Sequence, residues 1–392
     1  MNKAILNTDI QAFIQANLNI EIPVLSLSKS PFQLVSSKEL AEQIDSKKRC
    51  EHKLPLWFNT PGIYYPKKLA IEQASSEITA RYKANLIIGD QIIDLTGGIG
   101  IDSYFFALKA KEVTHCELNT ELSDISEYNA GILDVKIDYK KVNGLEYLRS
   151  SDKIYSSIYV DPSRRVDSKK VFLLKDCEPD LISNMNLLKS RSSHIIIKTA
   201  PLLDIQSTLT ELKEVRSVHI VSIKNECKEL LYLIDTKIKE SDPLIHCVLL
   251  GSEKEKSYSF RLSEEKLFQV NAYSAPLSYI YEPDAALLKA GCFKLISRDF
   301  DVQKLQQHTH LYTSNTLISF PGRTFKLKSS STYGDFVKEN TIKKANIICR
   351  NFPMSPQVIK KKLKINDGGQ EYLLFCTGAE KELLVLHCER LS

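Results

Sequence analysis

The stretch IIDLTGGIGID, from Ile92 to Asp102, decides how this chain folds. Two isoleucines form an apolar run, the acid Asp94 follows, and glycines stand at positions 97, 98 and 100. A helical pattern of apolar residues begins directly afterwards. An apolar strand that ends in a glycine turn before a helix is typical of doubly wound α/β sheets, which bind ligands beyond the carboxyl ends of their strands.

Strand and helix patterns alternate on both sides of this stretch, over residues 70–236. The apolar segments that predict buried strands are QIIDLTG, EVTHCEL, KIDYKKV, SIYVDP and HIIIKTA. This alternation predicts an α/β fold, a doubly wound Rossmann-like parallel sheet with helices on both faces. SVHIVSI and ELLYLID follow, and only KNECK separates them. That gap is too short for a crossover helix, so they predict an antiparallel hairpin of the sixth and seventh strands.

The regions before the sheet are predicted to be helical and rich in loops. In residues 1–69, Ser37 begins a short helix, and Pro55, Pro61 and Pro66 are expected to keep the chain extended. From Ala70 to Asn85, apolar residues recur at helical spacing and predict a helix that leads into the quoted strand.

The regions after the sheet predict two small domains. Residues 237–320 carry the strands LIHCVLL and SYSFRL, then YEPDAALLKAG, which predicts a helix with Pro283 in its first turn and Gly291 past its end. Glu282 and Asp284 would then be acids favoured by the helix dipole. Residues 321–392 predict strand, helix, strand, helix and two strands, which is a small α+β unit.

The glycine turn allows three interpretations. A dinucleotide-binding turn has a third glycine where this chain has Ser103, and Asp94 would put a negative charge beside the diphosphate. A cationic cofactor with an amino-acid tail would tolerate that acid. S-adenosylmethionine, which carries a sulfonium and an ammonium group, is such a cofactor. The third interpretation is a turn without a ligand.

Two further strand ends carry polar residues suited to a nucleoside. Glu117 ends the second strand, where an acid can accept hydrogen bonds from both ribose hydroxyls. Asn143 follows the third strand, and its amide could contact an adenine edge. An Asn-Gly pair is equally consistent with a simple turn.

The segment YVDPSRR, which ends the fourth strand, favours methyl transfer. The carboxylate of Asp161, and carbonyl groups held open by Pro162, can accept hydrogen bonds from a nitrogen that attacks a methyl group. Arg164 and Arg165 offer forked donors to a phosphate or a base edge. The alternative is an exposed turn with two solvated arginines.

These motifs carry a family resemblance. The order DLTGGIGID, HCEL, VNGLEYL and DPSRR resembles the class I S-adenosylmethionine-dependent methyltransferases. EQASSEITARYKANLIIGDQIIDLTGGIGID, DPSRR, YEPDAALLKAG and FPGRTFKL are more narrowly similar to a bacterial group with a small ferredoxin-like domain and a C-terminal THUMP-like domain. The resemblance covers most of the chain beyond residue 60. It divides the chain into a methyltransferase domain at 70–236, a linker and ferredoxin-like domain at 237–320, and a THUMP-like domain at 321–392.

The resemblance implies roles for individual residues. Glu117 would bind the ribose and Asn143 the adenine. The methionine portion would be held by Asp94, Thr96, Gly97, Gly98 and Gly100. The cofactor would be capped from the other side by Gln73, Ser75 and Ser76. Ser163 departs from the pattern, because amino-methylating enzymes usually have Asp-Pro-Pro and an aromatic residue that stacks on a flipped base.

The expected partner is RNA, although other substrates stay open. The balance of 53 basic to 48 acidic residues is only mildly positive, but the segment 341–364 has seven Lys or Arg and no acid. Four of its lysines could contact phosphates: Lys360, Lys361, Lys362 and Lys364. The run could also be a solvated helix face. A methyltransferase for a small molecule or protein, and a non-catalytic RNA-binding module, are the alternatives.

The remaining features predict a cytoplasmic protein without metal. The nine cysteines form no C-x-x-C pair, which argues against zinc and is typical of a reducing compartment. His308 and His310 lack a convincing third ligand and are predicted to alternate along a strand. Asp9 lies where a signal peptide needs an apolar run, and no apolar stretch approaches the ~18 residues of a membrane span.

Overall fold

A computed structural model of the chain describes residues 1–164, 173–238, 242–251 and 255–391. The chain divides into two compact units. The first comprises Met1–Arg216 with Leu231–Ser241, and the second comprises Ser217–Leu230 with Asp242–Ser392. The four domain segments expected from the sequence stay a prediction.

The helices of the described residues are, in chain order, α1 Thr8–Ala16, α2 Ile22–Leu27, α3 Ser37–Lys53, α4 Pro55–Asn59, α5 Lys68–Gln73, α6 Glu77–Ala84, α7 Ile101–Ala107, α8 Thr120–Ile132, α9 Gly144–Ser150, α10 Leu181–Arg191, α11 Ile205–Leu212, α12 Leu262–Leu267, α13 Ala285–Ala290, α14 Leu295–Asp299, α15 Tyr333–Glu339 and α16 Pro356–Leu363. Short 3-10 turns lie at Lys3–Leu6 and Leu174–Asp176.

The strands are β1 Gln91–Asp94, β2 Glu112–Cys116, β3 Asp138–Lys140, β4 Ser157–Val160, β5 Ser163–Arg164, β6 Cys177–Glu178, β7 His194–Thr199, β8 Val215–Ile223, β9 Glu226–Asp235, β10 Leu244–Leu250, β11 Lys256–Arg261, β12 Tyr279–Pro283, β13 Gln303–Lys304, β14 Tyr312–Ser314, β15 Gly322–Thr332, β16 Asn346–Arg350, β17 Glu371–Thr377 and β18 Leu383–Arg390.

The first unit contains the predicted parallel sheet. Its parallel strands stand in the order β7–β4–β1–β2–β3, and helices α7 to α10 alternate with them along the chain. Ile92, Ile93 and Ile158 are fully buried. Apolar runs of this kind are required where helices cover both faces of a sheet. The doubly wound fold expected from the sequence is therefore confirmed.

The predicted hairpin is also present, as β8 and β9. The turn between them consists of Lys224 and Asn225, with φ values of 51° and 64°. Positive φ at both central residues is the geometry that matches the twist of a tight two-residue hairpin.

The N-terminal region is helical, with two departures from the prediction. The helix at Ser37 is α3, which is longer than expected, and Ser36 and Glu39 form a capping box at its start. Pro55 does not keep the chain extended. It begins α4, where a missing backbone N–H is tolerated.

The predicted helix from Ala70 to Asn85 is wrong in its middle. The chain forms α5, then an extended segment, then α6. Ser76 is the cause, because its side chain accepts a hydrogen bond from the backbone N–H of Thr79 at 3.3 Å and thereby caps α6. The break leaves Ala74 and Ser75 outside both helices, at the carboxyl-end side of the sheet.

The second unit contains a seven-stranded sheet within its described residues. The strand order is β13–β14–β12–β15–β18–β17–β16, and α15 and α16 pack against it through Phe336 and Ile359. The order β15, α15, β16, α16, β17, β18 is the α+β pattern that the sequence predicts for the last 70 or so residues.

Two predictions in the second unit are wrong. Pro283 ends β12 instead of opening a helix, Asp284 caps α13, and Glu282 is a fully buried strand residue whose carboxylate lies 2.6 Å from Arg350. The histidines at 308 and 310 lie between β13 and β14, not in a strand. The cause of the first error is that Asp284, a strong N-cap residue, places the first helical residue at Ala285, two positions after Pro283.

Candidate active site

The glycine turn after β1 is shaped by close packing. The Gly97 N–H donates to the Cys116 carbonyl at 2.8 Å, and a Cβ atom on Gly97 would lie 2.1 Å from the His115 ring. Gly100 has a φ of 79°, which only glycine adopts readily. A Cβ atom added to Gly98 would meet no atom within 4 Å, so the turn opens to space at that residue.

The buried carboxylate of Asp94 stabilises this turn through hydrogen bonds. Its carboxylate accepts hydrogen bonds from the Thr96 N–H at 3.0 Å and the Ser103 hydroxyl at 2.7 Å. The side chain is almost fully buried, and burial raises its pKa to about 7. Asp94 is absent from the described wall of the adjacent cavity, so direct cofactor contact stays a prediction.

Ser103 and His115 extend the support of the turn. The Ser103 hydroxyl lies 3.0 Å from His115 Nδ1, and burial lowers the pKa of His115 to about 3, which keeps the ring neutral. One signal for this pair is visible in the sequence: a serine occupies the place of the third glycine of a dinucleotide turn. The hydrogen bond from that serine to Asp94 is not predictable from the spacing.

A cavity of about 520 Å³ lies at the carboxyl ends of the strands of the first unit. It includes most of the predicted cofactor residues. The described residues of its wall are Ala70, Gln73, Ala74, Ser75, Leu95, Thr96, Gly97, Gly98, Ile99, Gly100, Ile101, Asp102, Cys116, Glu117, Leu118, Asn119, Leu122, Val142, Asn143, Gly144, Leu145, Asp161, Ser163, Glu178 and Pro179.

Glu117 joins the glycine turn to helix α8. One carboxylate oxygen accepts from the Gly98 N–H at 2.8 Å, and the other accepts from the Asn119 N–H at 2.7 Å. A carboxylate has about four acceptor positions, so these contacts orient Glu117 and leave capacity for ligand hydroxyl groups.

Asn143 lies in the wall and also caps helix α9. Its side-chain oxygen accepts from the N–H groups of Leu145 at 3.0 Å and Glu146 at 3.3 Å. The Asn-Gly pair is therefore the start of a helix and not a simple turn. The contact between Asn143 and adenine stays a prediction.

The end of α5 and the segment that follows it contribute a second side of the wall, through Gln73 and Ser75 respectively. The Ser75 hydroxyl donates to Asp102 at 2.7 Å. Ser76, in contrast, caps α6 and is absent from the described wall. Of the three residues expected to cap the cofactor, two lie at the cavity.

Asp102 and Lys83 form a buried ion pair that the sequence does not reveal. Their charged atoms are 3.2 Å apart, and both side chains are almost inaccessible. Burial alone would raise the pKa of Asp102, but the charge of Lys83 and hydrogen bonds such as that from Tyr159 hold it below its usual value.

Asp161 follows β4 and faces the cavity. Its backbone N–H donates to the Thr96 hydroxyl at 2.7 Å, which ties the loop after β4 to the glycine turn. Its carboxylate forms an ion pair with Lys198 of β7. Pro162 is buried and outside the described wall.

The DPSRR loop continues into a short antiparallel pair. Ser163 of β5 stands opposite Glu178 of β6, and both line the cavity. Sequence reasoning misses Glu178, because it is fifteen residues away from Ser163 along the chain. Only the backbone of Arg164 is described, and Arg165 lies outside the described residues.

The charged side chains in the described wall are all carboxylates: Asp102, Glu117, Asp161 and Glu178. Lys83 and Lys198 lie behind two of them as ion-pair partners. The wall thus offers hydrogen-bond acceptors and negative charge, which suits a cationic ligand and disfavours a diphosphate.

The predicted RNA-contacting lysines lie on helix α16 of the second unit and just after it. Lys360 is paired with Asp367 at 2.7 Å, and Lys362 lies 5.4 Å from the centre of the Tyr333 ring. Lys361 and Lys364 are exposed. In the part of the chain that the structure describes, no cluster of three or more His, Cys, Asp or Glu could hold a metal ion, and no helix is long and apolar enough to cross a membrane.

Comparisons with known proteins agree with this architecture. Residues 279–321 match a model of a ferredoxin-like domain, and residues 324–390 match a model of a THUMP domain-like family. A relative from Mycoplasma mobile, named an uncharacterized RNA methyltransferase, is 29% identical over 79 residues. That match spans 20% of this chain and 22% of the relative.

A crystal structure from Porphyromonas gingivalis W83, of a protein assigned as a methyltransferase, is similar along the whole chain. The two are 32% identical, with a TM-score of 0.87, over 100% of this chain and 99% of the other. The resemblance drawn from the sequence is confirmed. The chain belongs to the class I S-adenosylmethionine-dependent methyltransferases that carry a ferredoxin-like domain and a C-terminal THUMP-like domain.

Proposed function

We propose that this chain transfers a methyl group from S-adenosylmethionine to a nucleotide base in RNA. One observation carries the proposal: the cavity at the strand ends is built on a glycine turn, and the charged side chains of its described wall are carboxylates. A sulfonium and an ammonium group are attracted to such a wall, whereas a dinucleotide would bring a diphosphate against it.

The residues of the wall fit the parts of this cofactor. The open space at Gly98 admits the methionine portion close to the backbone, and Gln73 and Ser75 approach from the opposite side. Glu117, oriented by two backbone N–H groups, would accept hydrogen bonds from the ribose hydroxyls. The adenine would lie near Asn143.

The cofactor, when bound, supplies an electrophilic methyl group. The protein must then position the nucleophile about 3 Å from it and receive a proton. Asp161 is the residue suited to this task, because it lies in the wall at the end of β4 and its backbone is fixed by Thr96.

Three features support RNA as the substrate. They are the THUMP-like match, the RNA methyltransferase name of the short relative, and the acid-free basic segment 341–364. Basic segments neutralise phosphates and release counterions, which gives affinity without selecting a sequence. A cytoplasmic location is expected of an RNA-modifying enzyme and stays a prediction.

The first experiment tests the cofactor and the substrate together. Calorimetry should detect binding of S-adenosylmethionine and no binding of NAD. Full-length protein should then transfer a deuterated methyl group to total RNA from a deletion strain, detected by nucleoside mass spectrometry. Binding of NAD, or labelling of a small molecule or protein in place of RNA, would contradict the proposal.

The second experiment tests the lysines as phosphate contacts. Lys361→Met with Lys364→Met should weaken RNA binding and reduce the salt slope by about 0.7 to 0.9 for each phosphate that is no longer neutralised. Lys360→Met with Asp367→Asn is the matched control, since it removes both members of an ion pair and leaves the net charge unchanged. An unchanged slope in the double variant would remove these lysines from the interface.

A further inference from the structure

Lys198 is a charged residue at the site to which the proposed reaction gives no role. It lies near the end of β7, which pairs in parallel with β4 through Val160 and Ile197. One residue further along that register, Lys198 stands beside Asp161, and the two form an ion pair. Lys198 is 12% exposed, whereas Asp161 is 33% exposed.

The contact fixes the direction of the Asp161 carboxylate. Lys198 engages Oδ2. Within the described part of the chain, Oδ1 accepts no hydrogen bond from the protein. The Thr96 hydroxyl holds the backbone of Asp161 at the same time, so both ends of the residue are restrained.

A carboxylate is a weak base. A hydroxyl nucleophile must lose its proton early and needs a stronger base. A nitrogen nucleophile attacks with its lone pair, and its N–H becomes acidic only as the bond to the methyl group forms. A carboxylate held by an ammonium group is adequate for that late proton transfer.

We propose that Lys198 is a positioning residue that holds the carboxylate of Asp161 in place as an acceptor, and that the site methylates a base nitrogen that carries hydrogen. The proposal rests on the proposed function. A nitrogen–carbon bond forms as the carbon–sulfur bond breaks and the sulfur keeps its electron pair. The proton of the methylated nitrogen passes to Asp161 and then to water.

The test compares Lys198→Met and Lys198→Arg in the full-length protein. With saturating S-adenosylmethionine and total RNA from a deletion strain, Lys198→Met should lower the initial rate about 10- to 100-fold, as expected when one charge-assisted hydrogen bond is removed. Cofactor affinity should stay the same or increase, because a cation near the sulfonium is removed. Lys198→Arg should restore most of the rate.

Lys153→Met is the matched control. It removes an ion pair of 2.9 Å with Glu112, at the start of β2 and away from the described cavity wall. Its rate should equal that of the wild type. Thermal melting of all three variants checks that each is folded. If Lys198→Met does not fold, the rate and cofactor affinity of Lys198→Arg still test the proposal.

The outcomes are distinct. A methyl group on an amino or ring nitrogen, with rescue by arginine, supports the proposal. Parallel loss of rate and cofactor affinity without rescue would assign Lys198 a structural role and overturn it. A methyl group on carbon or on ribose oxygen would overturn the nitrogen assignment alone. Cofactor binding without any RNA methylation would overturn the proposed function and this inference with it.

Discussion

Asp94 and Asp161 stand at the carboxyl ends of two neighbouring strands, β1 and β4, yet their surroundings are opposite. Asp94 is 1% exposed and is bonded to the Thr96 N–H and the Ser103 hydroxyl. Asp161 is one-third exposed, lines the cavity and is paired with Lys198. The first carboxylate faces the protein, and the second faces the ligand space.

The difference indicates separate roles for the two carboxylates at the site. Burial makes ionisation of Asp94 unfavourable, so this residue is suited to holding the glycine turn. A lysine partner and partial exposure hold the carboxylate of Asp161 where a substrate can reach it. Substitutions of the two residues should therefore affect different measurable quantities.

The largest effect is expected for turnover in Asp161→Ala. Loss of a positioned acid–base group should lower kcat by at least ~100-fold. Cofactor affinity should change by less than about threefold, because the ribose and methionine contacts lie on other residues. Single-turnover methylation of RNA and calorimetry measure the two quantities.

Asp161→Asn is the control that keeps the size of the side chain and removes its charge. The amide oxygen can still accept a hydrogen bond, so the loss of kcat should be smaller than in Asp161→Ala. Wild-type turnover in the alanine variant would exclude the loop as the catalytic site. Equal losses of kcat and cofactor affinity would place Asp161 in the binding machinery together with Asp94.

The sequence predicts where the carboxylates lie but not which side chains they contact. The glycine turn and the strand ends follow from local spacing, because they depend on residues next to one another. The partners of the carboxylates do not. Lys198 is 37 residues from Asp161, and Ser75 is 27 residues from Asp102. Only the parallel register of the sheet and the packing of α6 bring them together.

The helix break beside the cavity shows the same limit. Apolar spacing continues smoothly from Ala70 to Asn85, so periodicity alone predicts an unbroken helix. The break depends on which of two adjacent serines caps α6. Ser76 does so, and the Ser75 hydroxyl reaches Asp102 instead. A pair of serines inside a helical pattern is the signal for it in the sequence.

A smaller effect is expected for Asp94→Ala, and on cofactor affinity instead of turnover. Removing the acceptor of Thr96 and Ser103 should loosen the glycine turn and weaken cofactor binding by about 1–3 kcal/mol. At saturating cofactor, kcat should fall only a few-fold. Glu117→Ala is the matched comparison, with a similar loss of affinity expected from the ribose side.

Calorimetry and rate measurements at saturating cofactor test this difference. If Asp94→Ala lowered kcat as strongly as Asp161→Ala and left affinity unchanged, the assignment of the two roles would be reversed. Unchanged affinity in both Asp94→Ala and Glu117→Ala would move the cofactor pocket away from the glycine turn.

The last effect concerns pH and follows from the buried state of Asp94. Burial raises its pKa from 3.8 to about 7, so the folded protein binds more protons than the unfolded chain between these values. Over this range Asp94 is ionised in the unfolded chain and still largely protonated in the folded protein. The free energy of unfolding therefore falls as pH rises from about 4 to 7. The melting temperature of Asp94→Asn relative to the wild type should consequently increase over that range.

The same titration should couple to the cofactor. A bound cation favours the ionised carboxylate, so binding at pH 7 should release up to about half a proton, and affinity should rise at most about 10-fold from pH 6 to pH 8. Calorimetry in buffers of different ionisation enthalpy measures that release. Asp94→Asn should release none, whereas Asp161→Asn, which keeps Asp94, should still release protons. His115 does not contribute, because its pKa is lowered to about 3 by burial. Equal proton release in the wild type and Asp94→Asn would show that another group titrates, and the contrast between the two strand-end acids would lose its electrostatic basis.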